Sequence, residues 1–267
     1  MIRDITIGQY YPADSPIHRL DPRTKLLGTL LFIISVFIFH TFWGYLVATL
    51  FLGGVIFISK VPVKFIFKGL KTIFILLLFT IFFNMILTPG EVLWKLGFLK
   101  VTKEGVVLAA RMAIRLIYLV IGSSVMTLTT TPNQLTDGLE RQLRPLNKIH
   151  VPVHEIAMMM SIALRFIPIL LEETDKIMKA QIARGADFEN GNLIQKAKNM
   201  VPLLVPLFIS AFRRANDLAM AMEARCYHGG DHRTQMKPLC YAKRDGIAYG
   251  ILAAYLAISI VFRIVGI

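Results

Sequence analysis

Five runs of mostly apolar residues alternate with more polar segments along the chain. The runs cover residues 26–39, 42–59, 72–87, 116–131 and 247–261. A helix needs about 20 apolar residues to cross the hydrocarbon core of a bilayer. The shorter runs therefore need interfacial residues, or burial against neighbouring helices, to complete a span. The pattern predicts an all-α polytopic membrane protein with about five transmembrane helices.

A long polar segment, residues 132–245, separates the fourth run from the fifth. Within it, apolar residues recur every three or four positions over residues 154–184 and again over residues 193–225. That period is typical of amphipathic helices, and the first of them would be about 46 Å long. Three regions are predicted: a membrane domain with four spans (1–131), long amphipathic helices on the cytoplasmic side (132–245) and a C-terminal transmembrane helix (246–267).

The two amphipathic patterns end in nearly the same tripeptide. The six residues are Ala183, Arg184 and Gly185 in the first pattern, and Ala224, Arg225 and Cys226 in the second. A single arginine in the last turn of a helix often only complements the helix dipole, which contributes about 0.3–1 kcal/mol. The duplication favours a functional interpretation, in which each small cationic tip enters an acidic groove on a partner. Two similar tips indicate two similar partners.

The apolar faces of the two amphipathic helices are broad and rich in Met, Ile and Phe. A large apolar face on a helix that does not cross the membrane must be covered by the membrane interface, by the other helix or by a partner. Methionine side chains favour a surface that can repack against more than one partner.

Composition and charge support a membrane location and predict its orientation. Apolar residues make up 55% of the chain and the mean hydropathy is +0.59, which exceeds the usual range of soluble domains. With five spans, 24 of the 30 lysines and arginines fall on the side of the N-terminus. Because basic loops stay in the cytoplasm, we expect a cytoplasmic N-terminus and an extracellular C-terminus in the cell membrane.

Several chemistries have no support in the sequence. It contains no P-loop, no H-E-x-x-H and no G-x-S-x-G motif, so we expect a non-catalytic subunit that binds no cofactor itself. The spacing of the two cysteines fits no zinc pattern, and no metal site is expected.

Residues 91–103 are too polar to cross the membrane and predict an interfacial helix or re-entrant turn, with a solvated loop as the alternative.

Four motifs carry a resemblance to a known family. They are His18-Arg19-Leu20-Asp21-Pro22-Arg23-Thr24-Lys25-Leu26, Thr129-Thr130-Thr131-Pro132, Leu164-Arg165-Phe166-Ile167-Pro168 and the two Ala-Arg tips. With them, essentially the whole chain resembles the T component of energy-coupling factor transporters, the transmembrane coupling subunit of bacterial vitamin and metal uptake systems of the ABC class. The second tip departs slightly from the family pattern, with Cys226 where glycine is frequent.

The resemblance implies the partners. The six tip residues would dock into grooves on two cytoplasmic ATPase subunits, which bind ATP and Mg and supply the hydrolysis. The long helices would form a coupling platform for a substrate-binding membrane S component, or for several. The residues expected to face it are Met158, Met159, Phe166, Leu170, Met200, Leu204 and Phe208. The unequal third residues, Gly185 and Cys226, favour two different, homologous ATPases.

Two other interpretations remain open from the sequence. A stand-alone secondary transporter would need a substrate site near the bilayer midplane, for which Gly53, Gly54 and Asn84 are the only hints within the first three spans. A membrane-anchored nucleic-acid binder would use the net charge of +13, but it leaves the apolar faces of the two long helices unexplained, so no nucleic-acid partner is expected.

Overall fold

The computed structural model describes residues 10–39, 42–96, 99–186, 188, 192–229, 236 and 238–265. The elements in chain order are α1 (Pro22–Ile38), α2 (Phe42–Ser59), α3 (Val63–Leu87), β1 (Val92–Leu96), β2 (Leu99–Thr102), α4 (Lys103–Thr129), α5 (Pro132–Leu143), a 3₁₀ helix (Arg144–Ile149), α6 (Val153–Ala183), α7 (Leu193–Ala224) and α8 (Lys243–Val265). The chain divides into two compact units: Gly8–Leu139 with Leu239–Ile267, and a second unit that contains Glu140–Pro238.

By length and composition, four described helices are able to cross a membrane: α2, α4, α6 and α8. A fifth candidate is α3, which bends by 57° between Lys71 and Ile73. The number of candidate transmembrane helices agrees with the prediction, but the helices themselves are not all the predicted ones. The predicted span α1 has only 17 residues, about 25 Å against a hydrocarbon core of about 30 Å. Conversely, α6, which is predicted to lie outside the membrane, is long and apolar enough to cross it.

Burial against neighbouring helices accounts for the short α1. It packs against α4 and α8, and α2 packs against the same two helices. The buried core between them consists of Phe32, Val36, Phe39, Tyr45, Ala48, Leu52, Leu252 and Tyr255. Gly122 of α4 lets the ring of Phe32 approach closely, because a Cβ atom there would lie 2.9 Å from the ring.

A network of buried carboxylates joins the starts of α1 and α8. The carboxylate of Asp21 caps α1 by accepting a hydrogen bond from the Arg23 N–H (2.9 Å), and it accepts two more from the Arg23 guanidinium (2.9 and 3.0 Å). The Asp21 N–H donates to Asp245 Oδ1 (2.8 Å), and Asp245 Oδ2 accepts from the Ala242 N–H (2.9 Å). Asp245 thus caps α8 in the manner of a capping box and ties it to α1.

Lys25 and His18 connect the same region to the end of α4. The Lys25 ammonium donates to the carbonyl oxygens of His18 (3.0 Å) and Thr129 (2.8 Å), the second being a helix-end carbonyl without an intrahelical partner. The Nε2–H of His18 donates to the Tyr11 carbonyl (3.0 Å), so Nδ1 accepts from the Ser15 hydroxyl (2.7 Å). The motif around the start of α1 therefore holds three parts of this unit together.

The described part of residues 91–103 forms neither the predicted interfacial helix nor an irregular loop. There β1 and β2 pair in antiparallel fashion, with Lys95 opposite Lys100 and Leu96 opposite Leu99. Alternation of apolar and polar residues, as in Leu99-Lys100-Val101-Thr102, has a period of two and favours a strand. The Lys103 N–H donates to the Glu91 carbonyl (2.9 Å), which fixes the hairpin to the start of α4.

The substitution Asp21→Asn should destabilise the unit that contains α1, α4 and α8. Hydrogen bonds from Arg23 outweigh the effect of burial, which alone would raise the pKa of the Asp21 carboxyl, and they hold its pKa below the ordinary value. The amide cannot accept both guanidinium bonds, so Arg23 loses its buried counter-charge at a cost of about 3 kcal/mol. A thermal unfolding scan in detergent measures the loss, and Asp14→Asn, at an exposed carboxylate, is the matched control with little expected effect.

Stability should also fall in mild acid because of His18. Burial lowers the pKa of His18 more than its hydrogen bond to the Tyr11 carbonyl raises it. The folded protein therefore holds the neutral ring, and the stabilising contribution is present above the unfolded pKa of about 6.5 and is lost as the pH falls below it. Unfolding scans between pH 8 and pH 5 test this, and His18→Gln, which cannot be protonated in this range, should weaken the dependence on pH.

Candidate functional site: two cationic helix tips

The two long amphipathic helices pack against each other in opposite directions. Arg214 of α7 forms an ion pair with Glu173 of α6 (Nη2 to Oε2, 3.0 Å). Further along, the Gln181 side chain donates to the Pro202 carbonyl oxygen (3.1 Å). The contact nearer the end of α6 is therefore the one nearer the start of α7, which shows that the two helices are antiparallel. The bounds of both helices confirm the sequence prediction to within one residue at each end.

The first tip ends α6 in a Schellman motif. Arg184 is the C-cap residue, and Gly185 follows with a positive φ of 87°. The Gly185 N–H donates to the Ile182 carbonyl (2.9 Å), and the Ala186 N–H donates to the Gln181 carbonyl (2.9 Å). This pair of bonds satisfies carbonyls that would otherwise be orphaned at the helix end. Gly185 is thus the C-terminal stop that the sequence predicts.

The second tip has the same geometry. Arg225 is the C-cap residue of α7, and Cys226 has a positive φ of 57°. The Cys226 N–H donates to the Glu223 carbonyl (2.9 Å), and the Tyr227 N–H donates to the Met222 carbonyl (3.0 Å). Cysteine therefore occupies the left-handed position that glycine occupies in the first tip. The repeated tripeptide corresponds to a repeated backbone structure.

All six tip residues are exposed. Within the described part of the chain, neither Arg184 nor Arg225 has an ion-pair partner, whereas Arg23 and Arg214 both do. The exposed guanidinium groups sit at the negative ends of helix dipoles. Each tip therefore presents a narrow end with one cation to its surroundings.

The antiparallel pairing sets the tips far apart. Arg225 lies beside the first half of α6, because it lines one cleft together with Met158, Ile162 and Phe166. Arg184 lies at the far end of the same helix. From Ile162 to Arg184 the helix advances roughly 30 Å. The pairing thus places one tip near each end of the helix pair.

A cleft of about 590 Å³ lies beneath the second tip. Its basic side chains are Arg165, Arg225 and His228, and its apolar lining includes Met158, Phe166 and Leu218. The His228 ring is bonded to the Cys226 carbonyl oxygen through Nδ1 (2.9 Å). The cleft combines positive charge with apolar walls, which suits an acidic segment that also carries an apolar side chain.

The predicted apolar partner surface is distributed over different surroundings. Met159, Met200, Leu204 and Phe208 are exposed, each by more than two fifths of its surface. Met158 and Phe166 are half-buried and line the cleft instead, and Leu170 is half-buried on α6. The open face of α7 extends beyond the predicted residues, and its further exposed side chains are Val201, Val205, Ile209, Phe212 and Met220. The sequence prediction covers only a part of this face.

Other titratable residues of the sequence have structural partners. His154 contacts Glu140 (2.9 Å), and Glu173 contacts Arg214. Arg115 donates to the Phe39 carbonyl at the end of α1 (3.5 Å). Asp231 and His232 lie outside the described residues, and among the residues that are described no group of His, Cys, Asp and Glu side chains is arranged to hold a metal ion.

The several helices that are long and apolar enough to cross a membrane define a polytopic membrane protein. The chain matches the cobalt transport protein family (CbiQ) over residues 13–236. It is 59% identical over 266 residues to the energy-coupling factor transporter transmembrane protein EcfT of Clostridium kluyveri, covering 99% of this chain and 98% of that protein.

Proteins with the same name in two other organisms agree with this match. The protein of Ruminiclostridium cellulolyticum is 54% identical over 256 residues, with 96% of both chains covered. That of Bacillus subtilis is 48% identical over 246 residues, with 92% of this chain and 93% of that protein covered. The chain belongs to the family of energy-coupling factor transporter transmembrane proteins, as its sequence motifs predict.

The left-handed positions of the two tips should respond oppositely to substitution. Gly185→Ala should cost about 1 kcal/mol because an L-residue is strained at positive φ, and no neighbouring atom lies within 4 Å of the added Cβ. Cys226→Gly should be neutral or slightly stabilising. Hydrogen exchange of the amides after each arginine reports the local effect. Gly54→Ala, in open space within α2, is a control that should leave both tips unchanged.

Proposed function

We propose that this chain is the coupling subunit of its transporter, linking ATP hydrolysis by two cytoplasmic ATPase subunits to substrate uptake through a membrane S component. The observation that carries the proposal is the pair of equivalent Arg-ended caps on one antiparallel helix pair. The chain itself is non-catalytic on this proposal, and ATP and Mg belong to the partner ATPases.

The geometry of the helix pair suits the transmission of force. Each tip is a helix end whose last carbonyls are satisfied by its own Schellman motif, so the tip keeps its shape outside a partner. The tips are roughly 30 Å apart along α6, which leaves room for one ATPase on each. Relative motion of the two ATPases would then change the arrangement of α6 and α7, because each helix is gripped at its own C-terminal end.

The tips differ in ways that favour two different ATPases. The second tip has a left-handed cysteine and lies over the cleft with Arg165 and His228. The first has glycine at the same position, with no atom within 4 Å of where a Cβ would lie. An ATPase that fills the cleft beneath the second tip would lose its contacts with the cleft if it bound the first tip instead. Two homologous ATPases therefore fit the two tips better than two identical copies do.

The exposed apolar face of α7 supports a membrane partner. Phe208 and Phe212 stack at 6.4 Å between ring centroids, and both are more than three-fifths exposed. An S component that covers this face would contact the long helices of the coupling platform directly. Its substrate contacts would lie on that other chain, which is why neither a vitamin nor a metal substrate follows from the residues here.

The orientation follows from the distribution of basic residues. The tips must lie in the cytoplasm to reach ATPases, and the four lysines of residues 60–71, at the junction of α2 and α3, indicate the same side for the N-terminal part. We therefore place the N-terminus in the cytoplasm and, with α1, α2, α3, α4 and α8 as the spans, the C-terminus outside the cell. On this proposal α6 lies on the cytoplasmic side although its composition would allow a span.

The alternative of a stand-alone secondary transporter has less support. Such proteins bind substrate at interrupted helices near the midplane. Here α2 runs without interruption through Gly53 and Gly54, and the Asn84 amide donates to the Thr80 carbonyl of its own helix (2.8 Å).

The double substitution Arg184→Ala/Arg225→Ala should detach the ATPases or uncouple them from uptake. Buried arginines at interfaces often contribute about 2 kcal/mol or more, so each substitution should weaken docking by about 30-fold. Co-purification of the ATPases, the ATPase rate and uptake into vesicles measure the effect. Each single variant should reduce all three less than the double variant does.

Arg213→Ala is the matched control, since Arg213 is an exposed arginine of α7 away from the tip. It should leave assembly and uptake unchanged. Wild-type assembly, hydrolysis and uptake in the double variant would show that the tips are not the docking elements. Uptake by the chain alone in vesicles without ATPases would instead establish the secondary transporter.

A further inference from the structure

The start of α3 carries a stripe of three exposed lysines. Lys64, Lys68 and Lys71 are spaced by four and three residues, so they lie on one side of the helix. All three side chains are exposed. From Lys60 to Gly90 the sequence contains no Asp or Glu, so the stripe has no acidic neighbour within its own helix.

The opposite side of the same turns is fixed to the protein. Ile66 is 2% exposed and belongs to a buried cluster with Val61, Val125 and Leu128. A Cβ atom on Gly69 would lie 2.9 Å from the Ser124 hydroxyl of α4, so the helix approaches α4 closely at that point. Ile66 and Gly69 lie about 160° and 140° around the helix from Lys64. The lysines therefore point outwards because their helix is anchored on its far side.

Beyond the bend between Lys71 and Ile73, α3 exposes apolar side chains on several sides. Those that follow Lys71 at intervals of four, three and four residues are Ile75, Leu78 and Phe82. These side chains are 80%, 58% and 51% exposed. The exposed surface of α3 thus changes from cations before the bend to hydrocarbon after it. A phospholipid has the same order of groups, a charged headgroup followed by acyl chains.

We propose that this stripe is a binding site for an anionic phospholipid, with the headgroup phosphate against Lys64, Lys68 and Lys71 and the acyl chains along Ile75, Leu78 and Phe82. The apolar half distinguishes a lipid from a soluble polyanion, which would gain nothing from it. Phe65 and Phe67 lie on either side of the lysines and are 43% and 62% exposed, so they add apolar surface beside the cations.

Lys60 is not part of this site. It lies close enough to Asp14 to contribute, after the stronger hydrogen bond from Arg19, to lowering the pKa of that carboxyl. The site does not depend on the proposed coupling function, since it lies in the unit with α3 and α4 and makes no use of the helix tips.

Spin-labelled lipids test the site directly. The full chain is reconstituted in phosphatidylcholine vesicles with a trace of spin-labelled phosphatidylglycerol or phosphatidylcholine, and the protein-bound fraction of each is measured. Each basic side chain near a membrane surface increases binding of anionic lipid by about fivefold at most. We expect the native chain to prefer phosphatidylglycerol several-fold. Lys64→Gln/Lys68→Gln/Lys71→Gln should bring this preference close to one.

Two controls make the outcome decisive. Lys64→Arg/Lys68→Arg/Lys71→Arg keeps the charge and should keep the preference. Lys176→Gln/Lys179→Gln/Lys198→Gln removes the same charge from exposed positions of α6 and α7 and should also keep it. The proposal is overturned if the glutamine variant of the stripe retains the native preference, or if either control loses as much as that variant does. None of these readouts involves an ATPase, so they leave the coupling proposal untouched.

Discussion

The antiparallel pairing of α6 and α7 determines where the functional residues lie. Each helix has a single C-terminal end, and that end favours a cation because it is the negative end of the helix dipole. Two parallel helices would place both cationic ends together. Because the ion pair between Arg214 and Glu173 and the bond from Gln181 to the Pro202 carbonyl hold the helices in opposite directions, one cation stands near each end of the pair.

The elements that could be predicted from the sequence are those with a strong local signal. The bounds of α6 and α7 follow from a sustained helical period and from Gly185 or Arg225 at the end. The hairpin could not be predicted because its strands have only five and four residues. An alternating pattern of that length is too short to be recognised. Similarly, the stripe on α3 was visible only as charge, since the exposure of Ile75 and Leu78 belongs to the folded chain.

Contacts between distant parts of the sequence could not be predicted. Asp21 and Asp245 are 224 positions apart, and nothing in either local sequence indicates that one backbone N–H donates to the other carboxylate. The same holds for the cleft beneath Arg225, whose walls come from both long helices. The equivalence of the two tips could be predicted only in part. The repeated tripeptide is visible in the sequence, whereas the left-handed backbone of Cys226 is known only from the structure.

Arginine at both tips suits the proposed docking. Entry into a groove would remove water from the guanidinium group, and that desolvation costs several kcal/mol unless an anion replaces the water. The helix dipole returns at most about 1 kcal/mol, so it could not stabilise a buried tip by itself. On the proposed function, a partner must therefore present a carboxylate to each tip. Arginine fits this requirement better than lysine because its planar group stays charged and donates two parallel hydrogen bonds to one carboxylate.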